Sequence, residues 1–482
     1  MMKKRFISLS LAFMTAAGML ASCGGSTSQT ENTTADNISD STTAPVTAEE
    51  YTKPDKTFNG QEVNILIWSN SNLPVEEENG DVINDAVYRR NNKVSDLFDV
   101  KLKFDVRDGA VADYATWIST LNSSILAGDD AYQLAGGYGY RLTSDSLNGN
   151  YQNLKNNPYI DFTNPWWPST IIKASDIGGN MFACIGNIEP LYYDMTYAIY
   201  FNKKIADEFK IDDIYKMVND GTWTLDKMFE LAENSARDLN GNSKIDENDQ
   251  YGYLTDEWMC YDAFIHACDI KITETGSDGY PKLIGLTERF VDAQKKISEF
   301  MNSSGVVGKK SGGDRRAMFG DGKSLFLADS LHVAHILRAM SDDFGIVPYP
   351  KFDEAQDGYH TYNALGNSTV FVVPVTADET LAGCLLEALA YYGWKDVLPE
   401  YYERALKGKA ARDNDSEAML DIIFNNIEYE FTEIYSCSFG DQKSPSMTMR
   451  ISIGENRDLA SLWASDENLY DETMKSLINT LK

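Results

Sequence analysis

The chain has 482 residues and a formal net charge of −30, with 73 acidic residues against 43 Lys and Arg. So acidic a chain repels phosphate backbones, which argues against a nucleic-acid partner. The length suits two lobes rather than one small domain. Beyond the first 22 residues, no apolar run reaches the roughly 20 residues that span a bilayer.

The start of the chain has the order of a secretory signal, with a basic head and an apolar run over residues 6–20. The run ends in Leu20-Ala21-Ser22-Cys23, which resembles the signal of a bacterial lipoprotein. That resemblance implies that Cys23 becomes the lipidated first residue of the mature chain. The alternative is an ordinary signal peptide that ends near a cysteine. We expect a signal peptide over 1–22.

The segment after Cys23 is rich in Ser, Thr, Asn, Asp and Glu and nearly lacks large apolar residues from Gly24 to Pro54. Such a composition cannot bury enough surface to offset its ordering entropy. The sequence therefore predicts a flexible tether over 23–57 that holds the folded body away from the membrane.

The first part of the body alternates strand and helix patterns. Residues 61–68 and 100–106 read as strands, and apolar spacing predicts helices over 81–98 and 114–126, the second ended by Gly128. A third short strand is predicted over 131–136. This order indicates βαβ units around a largely parallel sheet.

The pattern changes at Asn164-Pro165-Trp166-Trp167-Pro168, which we interpret as a domain boundary. Strands are predicted beyond it over 196–201, 324–328, 344–348 and 370–374. Thr224 is a suitable N-cap for a helix. From about residue 380 the chain is predicted to be mainly helical.

Residues 238–249 have the oxygen spacing of an EF-hand calcium loop. Side-chain oxygens fall at positions 1, 3, 5, 9 and 12, and a backbone carbonyl falls at position 7. Two positions depart from the pattern, because Ser243 replaces the usual glycine and an aspartate replaces the final glutamate. The alternative is a polar turn without a metal. The predicted structural Ca²⁺ ligands are Asp238, Asn240, Asn242, Lys244, Asp246 and Asp249.

Several segments in the same order resemble the extracellular solute-binding proteins of ABC importers, in the family that includes maltose- and oligosaccharide-binding proteins. The matching segments are the opening strand with Trp68, 85–91, 200–203, 221–224, the calcium-type loop running into 251–252, 318–322, 344–351, 373–374 and 412–421. The resemblance covers about 400 residues.

The resemblance implies an α/β, two-lobe periplasmic-binding-protein-like fold of type II, with the ligand cleft between the lobes. We expect lobe one at 58–164 plus 315–366 and lobe two at 165–314 plus 367–482. Hinge closure would trap the solute. It also implies docking on the transmembrane subunits of a permease, and a lipid-anchored monomer on the extracellular face of a Gram-positive-type cell membrane.

The solute would be held by aromatic faces that stack on sugar rings and by polar groups that bind hydroxyls. In this family such residues lie on loops after strand ends. By position, the predicted ligand-binding residues are Trp68, Tyr138, Tyr140, Trp258, Asp329 and Trp394.

Three functions compete at this point. The first is a receptor that captures a carbohydrate, such as an oligosaccharide, for import, and the second is the same fold serving a peptide or a polyol. The third is a surface polysaccharide hydrolase, which would need two carboxylates about 5–10 Å apart. With 73 acidic residues such a pair carries no information. No nucleophile, zinc-protease or nucleotide-binding motif is present in the sequence, so we expect a binding protein and no enzyme.

Overall fold

The computed structural model describes residues 50–303, 305–407, 413–440 and 442–481. The predicted signal peptide, Cys23 and the tether up to residue 49 lie outside the described residues. Residues 50–482 form one compact unit.

Strands occur along most of the body. In chain order they are β1 Gln61–Trp68, β2 Val100–Arg107, β3 Leu134–Tyr138, β4 Tyr197–Asn202, β5 Tyr251–Thr255, β6 Thr273–Thr275, β7 Pro281–Leu283, β8 Val307–Lys309, β9 Ser324–Ser330, β10 Phe344–Val347, β11 Thr361–Tyr362, β12 Thr369–Val372 and β13 Ile427–Glu428.

Helices separate most of these strands and dominate the last hundred residues. They are α1 Val82–Phe98, α2 Tyr114–Ala127, α3 Gly139–Asp145, α4 Ser169–Ser175, α5 Lys203–Glu208, α6 Ile214–Asn219, α7 Leu225–Ser235, α8 Met259–Ala267, α9 Glu288–Met301, α10 Gly312–Gly320, α11 Val333–Leu337, α12 Glu379–Tyr392, α13 Asn414–Asn425, α14 Phe431–Ile434, α15 Thr448–Gly454 and α16 Leu459–Thr480. Two π-helical segments, Gly393–Val397 and Glu400–Lys407, follow α12.

The first sheet has the strand order β12-β3-β1-β2. β1 pairs in parallel with β2 and β3, and β12 pairs antiparallel with β3. The central strand β1 has fully buried Ile65, Leu66 and Ile67, as expected for a strand covered on both faces. Gly137 in β3 admits the Trp117 ring, which would lie 2.6 Å from a Cβ at that position. The sheet is therefore mostly parallel, as the alternation of strands and helices predicts.

The second sheet has the order β10-β4-β9-β5-β8. Here β5 pairs in parallel with β8 and β9, whereas β4 pairs antiparallel with β9 and β10. Two sheets in one compact unit, each flanked by helices, confirm the α/β fold class.

The strand pairing corrects the expected division into lobes. Segment 315–366, assigned to lobe one with 58–164, supplies β9 and β10 to the second sheet. Segment 367–482, assigned to lobe two with 165–314, supplies β12 to the first sheet. Strand patterns are alike in both sheets, so only the pairing decides which sheet a strand joins.

Local signals placed the helix ends well. Asp81 and Thr224 cap α1 and α7 by accepting hydrogen bonds from backbone N–H groups of the first turn. Gly128 ends α2 with a φ of +64°, in the left-handed region that glycine enters without steric cost. β3 begins at Leu134, three residues later than predicted, and this shift makes Tyr138 the last residue of the strand.

The body also begins earlier than expected. The tether is predicted to extend to residue 57, yet Tyr51 is half-buried against an aromatic cluster. Its ring centroid lies 5.3 Å from that of Tyr391 and 6.5 Å from that of Trp166. An aromatic ring gains too much from burial to stay in solvent when such a surface is near. Within the described ranges, no helix is both long and apolar enough to cross a membrane.

Candidate functional site

A cavity of about 420 Å³ lies beyond the carboxyl ends of β3 in the first sheet and β5 in the second sheet. One wall comes from the end of β3 and the start of α3, and another comes from the segment that joins β5 to α8. The remaining walls come from residues 362–367, from the α14 region and from α15. Ligand sites of α/β proteins characteristically lie at the carboxyl ends of strands, and this volume is within the range of small-molecule sites.

Aromatic side chains form much of this cavity wall: Tyr138, Tyr140, Trp258, Tyr362 and Tyr429. The Tyr138 and Tyr140 ring centroids are 6.0 Å apart. Trp258 is 51% exposed, which is unusual for a tryptophan in this chain, where most are buried. A large exposed ring at the mouth of a cavity suits contact with a ligand.

The same wall carries buried polar atoms that have no hydrogen-bond partner among the described residues. They are Arg141 Nε, Asn363 Oδ1, Tyr429 Oη, Glu433 Oε1 and Ser436 Oγ. Leaving a buried donor or acceptor unpaired costs about 1–3 kcal/mol, so native proteins rarely cluster such atoms without a purpose. Both donors and acceptors are present, which suits a ligand rich in hydroxyl groups.

Two ion pairs stiffen the cavity. The Arg450 guanidinium donates two hydrogen bonds to Asp262, one of them with an Nε–Oδ1 distance of 2.8 Å. Its Cζ also lies 5.6 Å from the Trp258 ring centroid. Burial alone would lower the pKa of Arg450, but the Asp262 carboxylate outweighs burial and raises it. Burial also raises the pKa of Asp262, and Arg450 opposes that rise. The hydrogen-bonded pair holds the guanidinium beside the Trp258 ring.

The second pair joins His266 to Glu433, whose Nε2 and Oε2 atoms are 2.9 Å apart. Burial would lower the pKa of His266, yet the adjacent Glu433 carboxylate raises it. The His266 ring also stacks on Tyr362 at 5.3 Å between centroids. Glu433 thus faces the cavity with one oxygen and its histidine partner with the other.

Three of the six predicted ligand-binding residues, Tyr138, Tyr140 and Trp258, line this cavity together. A fourth, Trp68, lies behind them rather than on the wall. It is 2% exposed, donates from Nε1 to Thr369 Oγ1 at 2.8 Å, and stacks on Tyr138 at 5.4 Å between centroids. Trp68 therefore supports the wall from the core.

Asp329 is not at the cavity. Its carboxylate is fully buried and accepts hydrogen bonds from Arg315 Nε at 3.0 Å and from Arg316 Nε at 2.9 Å. Two guanidinium groups neutralise this buried charge, so Asp329 stabilises the packing of α10 on β9. β9 extends to Ser330, two residues beyond the predicted end of the strand, so Asp329 lies within the strand and not on a loop after it.

Trp394 is also away from the cavity. It packs in the aromatic cluster that contains Tyr51, Trp166 and Tyr391, with ring centroids 6.3 Å from Trp166 and 6.4 Å from Tyr391. Its amphipathic ring is used for packing beyond the end of α12.

Sequence reasoning missed most of the cavity wall. Tyr362, Asn363 and Tyr429 come from the short strands β11 and β13 and the residues beside them, and Glu433 comes from α14. Those strands have two residues each, too short for any periodic signal. Arg141 could have been found, since it directly follows Tyr140.

The calcium-type loop joins α7 to β5 and has much of the expected geometry. Ser243 at position 6 takes a φ of +65°, the conformation that glycine usually supplies there. The side-chain oxygens of Asn240 and Asn242 accept hydrogen bonds from backbone N–H groups two residues further on. Asp238 accepts from Gly241 N at 2.7 Å and Ser243 N at 2.6 Å. These side chains therefore form a series of hydrogen-bonded turns along the loop.

The carboxylate at position 12 of the loop, Asp249, is already occupied by hydrogen bonds from the loop backbone. Asp249 is fully buried. It accepts hydrogen bonds from the backbone N–H groups of Leu239 at 2.8 Å, Asn240 at 3.2 Å and Asp246 at 2.9 Å. The donor set fits a cation through positions 1, 3, 5, 7 and 9, whereas Asp249 already closes the loop on itself.

One further cluster of possible metal ligands among the described residues contains Asp269, His360 and Glu428. Lys271 forms ion pairs with both carboxylates of this cluster, since its Nζ lies 2.9 Å from Asp269 and 2.8 Å from Glu428. Burial would raise the pKa of Glu428, but hydrogen bonds from His360 and Lys271 lower it to about 2. The cluster is therefore an ion-pair network already satisfied by an ammonium group.

Comparison with solved structures identifies the fold of this chain. No family model and no curated protein sequence matches this chain. Among solved structures, an ABC substrate-binding protein from Listeria monocytogenes in complex with cycloalternan aligns with a TM-score of 0.53 at 11% identity. The alignment covers 87% of this chain and 99% of that protein.

Two other solved structures align equally far. The cyclic α-maltosyl-1,6-maltose binding protein from Arthrobacter globiformis has a TM-score of 0.56 at 12% identity, over 86% of this chain and all of that one. The GacH receptor of Streptomyces glaucescens, solved unliganded and with acarbose, has a TM-score of 0.54 at 10% identity, over 86% and 99%. At such identities these likenesses show that the chain has the two-lobe fold of ABC solute-binding proteins.

Proposed function

We propose that this protein is the substrate-binding component of an ABC importer and captures a carbohydrate for uptake. The observation that carries the proposal is the cavity, where aromatic faces and unpartnered polar atoms share one wall in this fold. Of the similar structures, one is a complex with cycloalternan, one was solved with acarbose, and one is named as a cyclic α-maltosyl-1,6-maltose binding protein.

The chemistry of the wall matches the chemistry of sugars. A sugar ring offers C–H faces that stack on aromatic rings, and its hydroxyls both donate and accept hydrogen bonds. Trp258 and the tyrosines would supply the faces. Asn363, Glu433 and Ser436 would supply acceptors and donors that the protein itself leaves unused. A linear polyol would use the polar groups but offer no ring face to the aromatic side chains.

Binding is favoured over hydrolysis by the state of the cavity's carboxylates. Asp262 is held by Arg450 and Glu433 by His266, so each lies beside a cationic or basic partner. Glycoside hydrolysis needs one protonated carboxylic acid and one free carboxylate placed across the scissile bond. Burial raises the pKa of Asp262, and the hydrogen bonds from Arg450 oppose that rise and occupy both oxygens of the carboxylate.

We also propose that Cys23 carries a lipid anchor and that the body works at the extracellular face of the membrane beside its permease. The support is the order of basic head, apolar run and Leu20-Ala21-Ser22-Cys23 in the sequence. A tethered receptor keeps its local concentration high near a membrane partner. The calcium-type loop at 238–249 is proposed as a structural Ca²⁺ site, supported by its oxygen spacing and by Ser243 at position 6.

A ligand screen tests the main proposal. Purified protein is melted with a panel of neutral and acidic mono- and oligosaccharides, with amino acids, peptides and polyols as controls. We expect at least one sugar to raise the melting temperature and to bind saturably in calorimetry. A shift with peptides alone, or with polyols alone, would overturn the carbohydrate assignment. Release of shorter glycans, detected by mass spectrometry, would show catalysis instead.

Variants then place the sugar in the cavity. Trp258→Ala should weaken binding of that sugar at least about tenfold, because a stacked aromatic anchor is lost. Trp394→Ala is the matched control, since that tryptophan lies in the aromatic cluster outside the cavity. It should leave the dissociation constant unchanged. Equal effects of both variants would contradict this site.

A further inference from the structure

Arg141 is the one cavity arginine that lacks an anionic partner within the described ranges. It lies in the first turn of α3, directly after Tyr140, and lines the cavity. Its Nε is buried and unpaired, and no carboxylate oxygen of the described residues lies within 4.0 Å of the guanidinium. Its Cζ is 5.8 Å from the Tyr114 ring centroid, which holds the side chain in place without neutralising it.

The other charges on the wall cancel locally. Arg450 is paired with Asp262 through two hydrogen bonds, and Glu433 is paired with His266 at 2.9 Å. The positive charge of Arg141 is therefore left over. In a chain of net charge −30, this is a localised positive site in an otherwise anion-repelling molecule.

A half-buried guanidinium is costly unless an anion meets it. Carboxylate and sulfate groups match its planar fork and form short, charge-assisted hydrogen bonds, often two at once. Neutral hydroxyls can accept from the same fork but gain less, because the acceptor carries no charge. The cavity should thus prefer a sugar that brings its own negative charge.

We propose that the ligand of this cavity is an acidic carbohydrate, whose carboxylate or sulfate group binds Arg141 while its rings contact the aromatic wall. The proposal rests on the proposed carbohydrate-binding function and narrows it to a substrate class. The observation that suggests it is the unpaired guanidinium on the cavity wall.

Matched sugar pairs test the proposal by calorimetry on the full folded protein. Digalacturonate is compared with neutral galactobiose, and lactose sulfate with lactose, so that carboxylate and sulfate sources are distinguished. In at least one pair the acidic sugar should bind ten- to a hundredfold more tightly than its neutral partner. This preference should shrink at high salt, because exposed charge interactions are screened.

Three variants separate charge recognition from a structural role. Arg141→Gln should abolish the preference for the acidic sugar, whereas Arg141→Lys should retain part of it. Arg457→Gln is the control, since Arg457 is exposed and pairs with Glu455 outside the cavity. It should behave as the parent protein does.

The outcomes are distinguishable. Equal or tighter binding of the neutral members, or an unchanged preference in Arg141→Gln, would overturn the acidic-sugar assignment and leave the proposed function standing. If no sugar of the full panel binds, the proposed function fails and this inference fails with it.

Discussion

Glu387 shows how one buried side chain can organise a long segment. Its two oxygens accept hydrogen bonds from Trp166 Nε1 at 2.9 Å, Trp167 Nε1 at 2.8 Å and Asn164 Nδ2 at 3.0 Å. The Pro- and Trp-rich segment is thereby fixed to α12. Burial raises the pKa of Glu387 to about 7, although these donors oppose the shift. No cation is needed to explain the arrangement, because four N–H groups face the carboxylate.

This raised pKa predicts a pH effect on stability. The folded protein binds more protons than the unfolded chain between pH 4.5, the ordinary pKa, and about 7. The contribution of Glu387 is therefore fully present below pH 4.5 and is lost as the pH rises through about 7. Glu387→Gln should show a smaller fall in the free energy of unfolding between pH 5 and pH 8.

Urea denaturation at several pH values measures that difference. Glu467→Gln is the control, because Glu467 is exposed on α16 and should leave the pH profile unchanged. If the Glu387→Gln profile runs parallel to that of the parent protein, Glu387 does not titrate in this range.

At the scale of an element, the loop between α7 and β5 is a closed unit. A bridge between Arg237 and Gln250 joins its two ends, with N–O distances of 2.9 and 3.1 Å. Asp249 binds three N–H groups inside it, and Asp238 binds two at its exposed rim. The two aspartates should therefore respond differently to substitution.

We expect calcium to raise the melting temperature of the parent protein relative to chelator. Asp238→Ala should abolish that rise with a small loss of stability in chelator. Asp249→Ala should lower the free energy of unfolding by about 1–3 kcal/mol even in chelator, because buried N–H groups lose their acceptor. Identical melts of the parent protein in calcium and chelator would rule out the calcium site.

At the scale of the whole molecule, the chain passes between the two sheets more than once. It leaves the first sheet after β3 and returns from β10 to β12. The cavity takes residues from both sides of these crossings. Segments that connect two sheets beside a ligand site are natural hinges, and ligand contact with both walls favours the closed state.

Closure should be visible in solution. Saturation with the best-binding sugar should reduce the radius of gyration measured by small-angle X-ray scattering. Trp258→Ala at the same sugar concentration should show a smaller reduction of the radius of gyration, since a smaller fraction of that variant binds sugar. An unchanged radius in the saturated parent protein would argue for a preformed, rigid cavity.

The sequence by itself determined the local structure of this protein. Apolar spacing located β1 exactly and α1 and α2 to within a residue, because period and caps such as Asp81 are written in adjacent positions. The resemblance also gave the fold class. Of the residues predicted by position to bind a ligand, Tyr138, Tyr140 and Trp258 line the cavity.

Only the tertiary structure decided what those elements meet. β9 and β10 belong to the second sheet, and Asp329 is enclosed by two arginines. Glu433 and Arg450 reach the cavity from the helical C-terminal part of the chain. Such contacts join residues far apart in the chain, so no local pattern encodes them. Strand order and helix packing set them, and those depend on the burial of the whole body at once.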